Sequence, residues 1–278
     1  MNGNIPVELG PVQETLLVPL LGRAEETRRA SGLLNDPKAV EIVGELDYDF
    51  SKWEGMTTLK GATLRTRMMD NFVRRFLAQN PLGTVVEIGA GLNTRYERLD
   101  NGKAQWVELD LADSMALRRR FFEDTPRRTM VTGSVVDTDW HDHVSQRPSP
   151  FCFVSEAVII YLDEEKATRA LSCIASRFGG STLVMDTTSG RMVERQSQHE
   201  IMKMMSKDSW FRWKCDDPGS LSRYGLHLEE SMTFVDAPRD VLAHAPWMWR
   251  TMSTYLPWFT RWMIGGYRLN RFTLGDPN

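Results

Sequence analysis

The sequence lacks an excess of charge of either sign. It holds 34 lysine and arginine residues against 37 aspartate and glutamate residues, for a net charge of −3. Without a basic excess nothing favours a nucleic-acid partner, and no acidic run suggests a disordered, solvating arm. The composition therefore predicts a globular protein that has no nucleic-acid partner.

Cysteine is scarce as well. Cys152, Cys173 and Cys215 stand far apart, without a C-x-x-C pair or the spacing of zinc ligands. This pattern excludes a disulfide framework and a zinc finger. We expect reduced thiols, as in a cytoplasmic protein.

Long apolar runs are missing too. No run approaches the roughly eighteen apolar residues that a membrane helix needs. The first thirty residues carry Glu8, Glu14, Glu25 and Glu26, which a signal peptide would not carry in its apolar stretch. We expect a cytoplasmic protein with no membrane partner, and the sequence leaves a homo-oligomer open.

What the chain does have is enough apolar residues for a core, at 41% of 278 residues. This length suits one large α/β domain with elaborations. The pattern of residues 1–80 predicts a helical region, which we expect to pack on a domain formed by residues 81–278. Asp36 and Pro37 look like the cap and first turn of a short helix, and residues 59–78 carry apolar side chains at helical spacing.

Strand and helix patterns alternate over residues 83–188. This alternation predicts an α/β fold with a doubly wound, mostly parallel sheet of seven strands. The first five strands are predicted at residues 84–88, 104–111, 129–132, 151–155 and 181–186. Candidates for the others are residues 226–228, 233–235 and 268–274. Residues 196–215 and 240–264 are predicted helical, and an insertion over about 189–225 is predicted to cap the sheet.

A glycine turn follows the first of these strands. Gly89 and Gly91 have no Cβ, so the backbone can turn tightly and approach a ligand closely. A helix is predicted to begin just after them, and its first N–H groups would be free. This arrangement predicts a nucleotide-type crevice at the carboxyl ends of parallel strands.

Two details separate the possible cofactors. A dinucleotide fingerprint requires a third glycine where this chain has Thr94. Glu87 precedes the turn, and a carboxylate favours a cationic cofactor such as S-adenosylmethionine over a pyrophosphate. Glu108 and Asp110 end the next strand, where a carboxylate can accept hydrogen bonds from ribose hydroxyls. One of these two acids can instead be a solvated strand end.

With these residues in place, the sequence resembles the leucine carboxyl methyltransferase family, and within it the polyketide O-methyltransferases of the tetracenomycin type. The motifs that carry the resemblance occur in the same order along most of the chain. They lie at residues 35–39, 64–67, 87–95, 107–111 and 155–162. The resemblance implies a Rossmann-like class I methyltransferase fold with S-adenosylmethionine as cofactor and residues 189–225 as a helical substrate cap.

The resemblance also implies roles for individual residues. Arg65 would pair with the carboxylate of the cofactor, with Arg67 as its competitor, and Glu156 would lie near the ammonium. Asp110 would bind the ribose, and Tyr161 would border the reacting methyl group. The complete predicted cofactor-binding set is Arg65, Glu87, Gly89, Gly91, Asn93, Asp110, Leu111, Ser134, Val135 and Glu156.

Methyl transfer from a sulfonium needs proximity, alignment and a dry pocket. A carboxylate acceptor is already ionised at neutral pH, whereas a phenol would benefit from a general base. The candidate bases are His141, His143, His199, His227 and His244. We prefer His199, because it lies in the predicted cap, and we predict Tyr161 and His199 as the catalytic residues.

Methionine and tryptophan are enriched in the last third of the chain. Flexible methionines and flat aromatic rings suit a pocket for a planar, apolar acceptor, although core packing explains such residues equally well. We predict Met202, Trp210 and Trp213 as substrate residues. A second cluster comprises Trp247, Met248, Trp249, Trp258, Trp262 and Met263.

The His141-Asp142-His143 sequence suggests a metal only if it is extended, since residues i and i+2 then share a face. No third ligand is evident, so we predict no metal site.

The leading hypothesis is a small-molecule O-methyltransferase that acts on a carboxylate or phenol oxygen of an aromatic or polyketide-type acceptor. The alternatives are a methyltransferase for protein C-terminal carboxylates, a nicotinamide-dependent oxidoreductase and a cofactor-free binding protein. The sequence does not reveal the acceptor or the methylated atom.

Overall fold

The computed structural model describes residues 5–237 and 265–275 of the chain. The α-helices in these residues are α1 Leu17–Arg28, α2 Pro37–Glu45, α3 Thr57–Gln79, α4 Arg95–Leu99, α5 Ala112–Arg118, α6 Trp140–Ser145, α7 Glu164–Arg177 and α8 Gly190–Arg195. The strands are β1 Ile5–Pro6, β2 Leu46–Asp47, β3 Thr84–Ile88, β4 Gln105–Asp110, β5 Arg128–Thr132, β6 Phe151–Ser155, β7 Thr182–Thr188, β8 Leu226–Met232 and β9 Tyr267–Leu274. Short 3₁₀ helices lie at Gln13–Leu16, Ser51–Trp53, Ile159–Tyr161, Gln196–Gln198, Lys207–Ser209, Pro218–Tyr224 and Phe234–Asp236.

Seven of the described strands form one sheet in the order β5-β4-β3-β6-β7-β9-β8. Strands β3 to β7 run parallel, while β9 pairs antiparallel with both β7 and β8. The strand order reverses direction at β3 and β6, and this is where open α/β sheets bind their ligands. The predicted doubly wound, mostly parallel sheet is confirmed.

Both faces of the sheet are covered, because side chains alternate between the faces along each strand. Val85 points to one face and packs with the apolar side of α3, including Phe72 and Phe76. Val86 points to the other face and packs with α7, including Leu171. The central strands β3 and β6 are therefore buried on both sides.

The N-terminal helices lie where the sequence predicts them. Asp36 caps α2 by accepting a hydrogen bond from the Ala39 N–H, and Pro37 occupies the first turn. Leu20 of α1, Ile42 of α2 and Leu59 of α3 belong to one buried cluster. The division of the chain into regions 1–80 and 81–278 stays a prediction.

Residues 196–215 do not form the helix that the sequence predicts. Helix α8 ends at Arg195, and short 3₁₀ turns and extended chain follow. The Gln196 side chain accepts a hydrogen bond from the Phe211 N–H at 2.7 Å and donates one to the Phe211 carbonyl at 2.9 Å. The backbone N–H of Trp213 donates to the carbonyl of Ile160 at 3.2 Å. These long-range partners replace helical hydrogen bonds, so tertiary contacts override the local pattern.

The end of the chain differs from prediction in one further segment. Residues 233–235 are not a strand, because Thr233 and Asp236 form a capping box around the turn Phe234–Asp236. The predicted helix over residues 240–264, His244 and the second methionine–tryptophan cluster lie outside the described residues. Among the helices at 5–237, none combines the length and the apolar character that crossing a bilayer requires.

Candidate active site

A cavity of about 790 Å³ lies at the carboxyl ends of the parallel strands. Its volume is near the upper end of the ~300–1,000 Å³ usual for small-molecule sites. Among the residues that line it are twelve predicted from the sequence: Arg65, Gly89, Gly91, Asn93, Asp110, Leu111, Ser134, Val135, Glu156, Tyr161, His199 and Met202. Glu87, Trp210 and Trp213 are not among them.

The glycine turn forms one edge of the cavity. Gly89 and Gly91 have φ angles of +67° and +47°, in the left-handed region that glycine tolerates best. A Cβ on Gly89 would lie 2.3 Å from the Cγ2 atom of Val158, so no side chain fits there. The N–H groups of Gly89 and Ala90 both donate to the carbonyl of Leu109, at 2.8 and 3.0 Å. These bonds tie the turn to the end of β4.

Asp110 ends β4 beside this turn. Its two carboxylate oxygens accept hydrogen bonds from the backbone N–H groups of Gly91, at 2.5 Å, and Leu111, at 2.7 Å. Burial raises the pKa of Asp110 despite these bonds. Ser114 also forms a side-chain hydrogen bond with Asp110. A carboxylate has about four acceptor sites, so Asp110 can still accept a hydrogen bond from a hydroxyl group. This geometry fits the ribose of the predicted cofactor.

A charged pair, Arg65 of α3 and Glu156 after β6, lies beside the turn, where Asn93 Nδ2 donates to Glu156 Oε2 at 3.4 Å. The Arg65 Nε donates to Glu156 Oε1 at 2.9 Å, and Glu156 also accepts from Thr66 Oγ1 at 2.6 Å and Arg95 Nη2 at 2.6 Å. Burial alone would raise the pKa of Glu156, but Arg65 and Arg95 outweigh it and lower that pKa to about 2. A fixed guanidinium beside a fixed carboxylate fits the carboxylate and ammonium of an amino acid.

Glu87, predicted to bind the cofactor, lies outside the cavity lining. It is buried and forms an ion pair with Arg95, which also pairs with Asp70 at 2.9 Å. Its role is therefore to hold a buried arginine that in turn reaches Glu156. The sequence alone does not reveal this ion pair, because Glu87 meets Arg95 only once α4 has packed beside β3.

Glu108 is neither a ribose ligand nor a solvated strand end. It is buried between two arginines, with Arg118 Nε at 3.0 Å and Arg128 Nε at 2.9 Å from Oε2. Asp110 alone of the two acids reaches the cavity. Arg67, the competitor of Arg65, does not line the main cavity and donates to Asn71 Oδ1 at 2.7 Å.

Two buried arginines hold the carbonyl groups of the turn. Arg118 Nη1 donates to the carbonyls of Gly91 and Asn93, each at 2.8 Å. Arg23 Nη2 donates to the carbonyl of Leu92 at 2.8 Å, while its Nε pairs with Asp36. Neither arginine was predicted from the sequence, because backbone carbonyls leave no signature in the side-chain pattern.

One part of the cavity lining is an apolar wall. Met192, Met202 and Phe211 line it, and the Tyr161 ring lies 5.4 Å from the Phe211 ring. Burial lowers the pKa of His199 below its usual 6.5, and its Nδ1 atom is buried with no hydrogen-bond partner among the described residues. His199 is therefore neutral at pH 7 and can accept a proton.

Two predicted substrate residues lie behind this wall. Trp213 is 2% exposed and belongs to the core cluster that contains Leu221, so it fills the interior and not the cavity. Trp210 donates from Nε1 to the carbonyl of Met202 at 3.1 Å and so supports a residue of the wall. Phe211, between these two tryptophans in the chain, does line the cavity.

The His141-Asp142-His143 sequence belongs to helix α6 and not to an extended stretch. Side chains at i and i+2 of a helix do not share a face. The His141 ring packs edge-on against the rings of Trp140, at 4.3 Å, and Phe178, at 5.3 Å. In the residues that the structure describes, no three histidine, cysteine or acidic side chains are grouped so that they could hold a metal.

The sequence matches the family described as "Leucine carboxyl methyltransferase" over residues 17–175, which is more than half of the chain. It is 29% identical over 236 residues to "Tetracenomycin polyketide synthesis O-methyltransferase TcmP" of Streptomyces glaucescens, covering 84% of this chain and 86% of that protein. It is 26% identical over 287 residues to "S-adenosyl-L-methionine-dependent methyltransferase dpfgK" of Gibberella zeae, covering 94% and 93% of the two chains.

Solved structures agree with the fold. The N-methyltransferase NodS from Bradyrhizobium japonicum WM9, in complex with S-adenosyl-L-homocysteine, aligns with a TM-score of 0.50 at 9% identity over 96% of this chain and 100% of that one. The predicted family, fold, enzyme class and cofactor are confirmed, and the oxidoreductase alternative is excluded. The chain therefore belongs to the leucine carboxyl methyltransferase family and is an S-adenosylmethionine-dependent O-methyltransferase.

Proposed function

We propose that this enzyme methylates a carboxylate or phenol oxygen of a small aromatic or polyketide-type molecule. One observation carries the proposal: a single cavity contains both the residues suited to the cofactor and a wall of methionine and aromatic side chains. Met192, Met202 and Phe211 provide an apolar surface for a flat acceptor. The relative named for tetracenomycin polyketide synthesis supports the same class of acceptor.

The positive charges at the cavity support an acidic acceptor. Arg191 and Arg195 lie one turn apart on α8, and both line the cavity. Side chains at i and i+4 share a helix face, so both can approach one anionic group. The two carboxylates of the cavity, Asp110 and Glu156, are already engaged by backbone N–H groups and arginines. We propose that residues 189–225 are the substrate cap, since they supply both arginines and the apolar wall.

The protein positions the two reactants and excludes water from the space in which they react. When bound, the cofactor supplies a methyl group on a positively charged sulfur. Asp110 and the Arg65–Glu156 pair bind its two polar ends, while Tyr161 and Phe211 exclude water from the space between cofactor and acceptor. Burial raises the pKa of Tyr161, so this residue stays a neutral phenol. His199 can take the proton of a phenol, whereas a carboxylate acceptor has none to lose.

The test is a methylation assay on matched pairs of aromatic carboxylic acids and phenols, with product detected by mass spectrometry. A phenol acceptor should be methylated more slowly as the pH falls through the lowered pKa of His199. His199→Gln should then reduce kcat by about 10²–10⁴-fold. A carboxylate acceptor should show neither effect.

The matched control is His143→Gln, because His143 is exposed on α6. It should leave both reactions unchanged. Turnover of a peptide with a free C-terminal carboxylate, together with no turnover of any small acid or phenol, would replace this proposal with the protein-acceptor alternative.

We further propose a cytoplasmic location and a small-molecule partner, with a homo-oligomer still open. Light scattering on the purified protein measures the oligomeric state directly. A mass above that of one 31.9 kDa chain would establish a homo-oligomer.

A further inference from the structure

Asp186 is a fully buried carboxylate beneath the cavity, in a segment that the sequence motifs do not include. It lies near the end of β7. Both of its oxygens accept a hydrogen bond from the Ala157 N–H, at 3.0 and 2.9 Å, and one also accepts from the Tyr267 hydroxyl. Asp186 thus joins the loop after β6 to the start of β9.

Ala157, held by Asp186, has a φ angle of +55°. This left-handed conformation is unfavourable for an L-residue, so the surrounding contacts must impose it. Ala157 directly follows Glu156, the carboxylate at the cavity. The hydrogen bonds from Ala157 to Asp186 therefore fix the backbone that aims Glu156.

Tyr267, the second partner of Asp186, reaches the other member of the charged pair. Its hydroxyl oxygen accepts a hydrogen bond from Arg65 Nη1 at 3.2 Å. Its ring stacks on Phe234, with centroids 5.7 Å apart and 13° between the planes. The phenol is therefore held by its ring and by its oxygen, and it holds the guanidinium in turn.

The hydroxyl group of Tyr267 does not act as a general acid or base. Burial, together with the nearby Asp186 carboxylate, raises the pKa of Tyr267 well above its usual 10. The residue remains a phenol that donates to Asp186 and accepts from Arg65 across the accessible pH range. A fixed donor and acceptor of this kind orients its neighbours and takes no proton from a substrate.

We propose that Asp186 and Tyr267 are positioning residues that set the geometry of Arg65 and Glu156 for the amino-acid end of the cofactor. The inference rests on the assignment of that charged pair to the amino-acid end. It does not depend on which acceptor is methylated, so it can be tested by binding without an acceptor.

The test compares two ligands by calorimetric titration of the full chain. S-Adenosylhomocysteine carries the amino-acid end, whereas 5′-methylthioadenosine keeps the adenosine and lacks it. Tyr267→Phe and Asp186→Asn should each weaken S-adenosylhomocysteine binding by about tenfold, as expected for a hydrogen bond to a charged group. Binding of 5′-methylthioadenosine should change by less than about twofold in the same variants.

The matched control is Tyr224→Phe, since Tyr224 packs against the core cluster away from the charged pair. It should leave both affinities unchanged. In an Arg65→Ala background, Tyr267→Phe should have a smaller effect than in the wild-type protein, because one of the two groups that it positions is gone.

Equal losses for the two ligands would show a merely structural role and overturn the proposal, as would unchanged affinity in both variants. If Asp186→Asn fails to fold, Tyr267→Phe decides alone. If Arg65→Ala itself weakens both ligands equally, the assignment of the charged pair is wrong and the proposal fails with it. None of these results bears on the acceptor.

Discussion

At the scale of single residues, acidic side chains that look alike in the sequence have different surroundings. Asp110 and Glu156 face the cavity, whereas Glu87 and Glu108 are buried against arginines. Glu108 and Asp110 are two residues apart on one strand. The difference follows from where Arg118 and Arg128 lie, and both arginines come later in the chain.

Asp110→Ala and Arg65→Ala should each weaken S-adenosylhomocysteine binding by about tenfold or more. Each change removes charge-assisted hydrogen bonds of order 1–3 kcal/mol. Calorimetric titration measures the effect, and Asp142→Ala is the control because Asp142 is 81% exposed. Wild-type affinity in both variants would show that the motif assignment is wrong.

Trp213→Ala should lower the free energy of unfolding by about 3–5 kcal/mol, because it empties a large space in the core. Urea denaturation measures this change.

Phe211→Ala should instead raise the acceptor KM and leave the affinity for S-adenosylhomocysteine unchanged, since Phe211 lines the cavity. A stable Trp213→Ala variant with a raised KM would restore the interpretation drawn from the sequence.

At the scale of elements, the glycine turn depends on helices on either side of it in the sequence. Arg23 comes from α1 and Arg118 from α5, and together they bind three successive backbone carbonyls of the turn. Each arginine is itself oriented by a carboxylate, Asp36 or Glu108. The turn therefore has its shape before any ligand arrives, and such preorganisation lowers the cost of binding.

Arg118→Met should weaken S-adenosylhomocysteine binding by about tenfold, because the carbonyls of Gly91 and Asn93 lose their donor. Glu108 keeps Arg128 as a partner, so the fold should survive. Arg120→Met, at an exposed position after the same helix, is the control for titration. An unchanged affinity for S-adenosylhomocysteine in Arg118→Met would mean that the turn keeps its shape without this arginine.

At the scale of the whole molecule, buried charges form a network from α1 to the cavity. Asp36 pairs with Arg23 and Arg98, and Asp70 pairs with Arg98 and Arg95. Arg95 then reaches Glu156 at 2.6 Å. Removing one member of such a buried pair is costly because it leaves an uncompensated charge. The N-terminal helices and the cavity side of the sheet are therefore coupled.

This network predicts a dependence of stability on pH. Burial alone would raise the pKa of Asp70, but Arg98 and Arg95 lower it from 3.8 to about 2. The stabilisation is complete above about pH 4 and is lost as the pH falls toward about 2, because the unfolded chain binds the proton first. It amounts to about 2 kcal/mol.

Urea denaturation from neutral pH down to about pH 3 should therefore show a falling free energy of unfolding, and Asp70→Asn should flatten this fall. Asp142→Asn, at an exposed position, should leave the pH dependence unchanged. If the free energy of unfolding fell equally with pH in the wild-type protein and in Asp70→Asn, Asp70 would not contribute to the pH dependence of stability.

The sequence by itself determined the order of strands and helices over residues 83–188, the glycine turn and the carboxylate at the end of β4. Hydrophobic periodicity, helix caps and turn residues act over a few neighbouring positions, so a single chain displays them. The strands at Thr84–Ile88 and Phe151–Ser155 have the predicted limits for this reason. The resemblance to a family added the cofactor and the residues that we propose bind it.

Only the tertiary structure decided which acids and aromatic residues reach the cavity. Phe211 and Trp213 are neighbours in the chain, yet one lines the cavity and the other fills the core. Tyr267 and Asp186 are 81 residues apart and meet because β7 and β9 pair. Such contacts depend on how separate elements pack together, and the local pattern of residues does not contain that information.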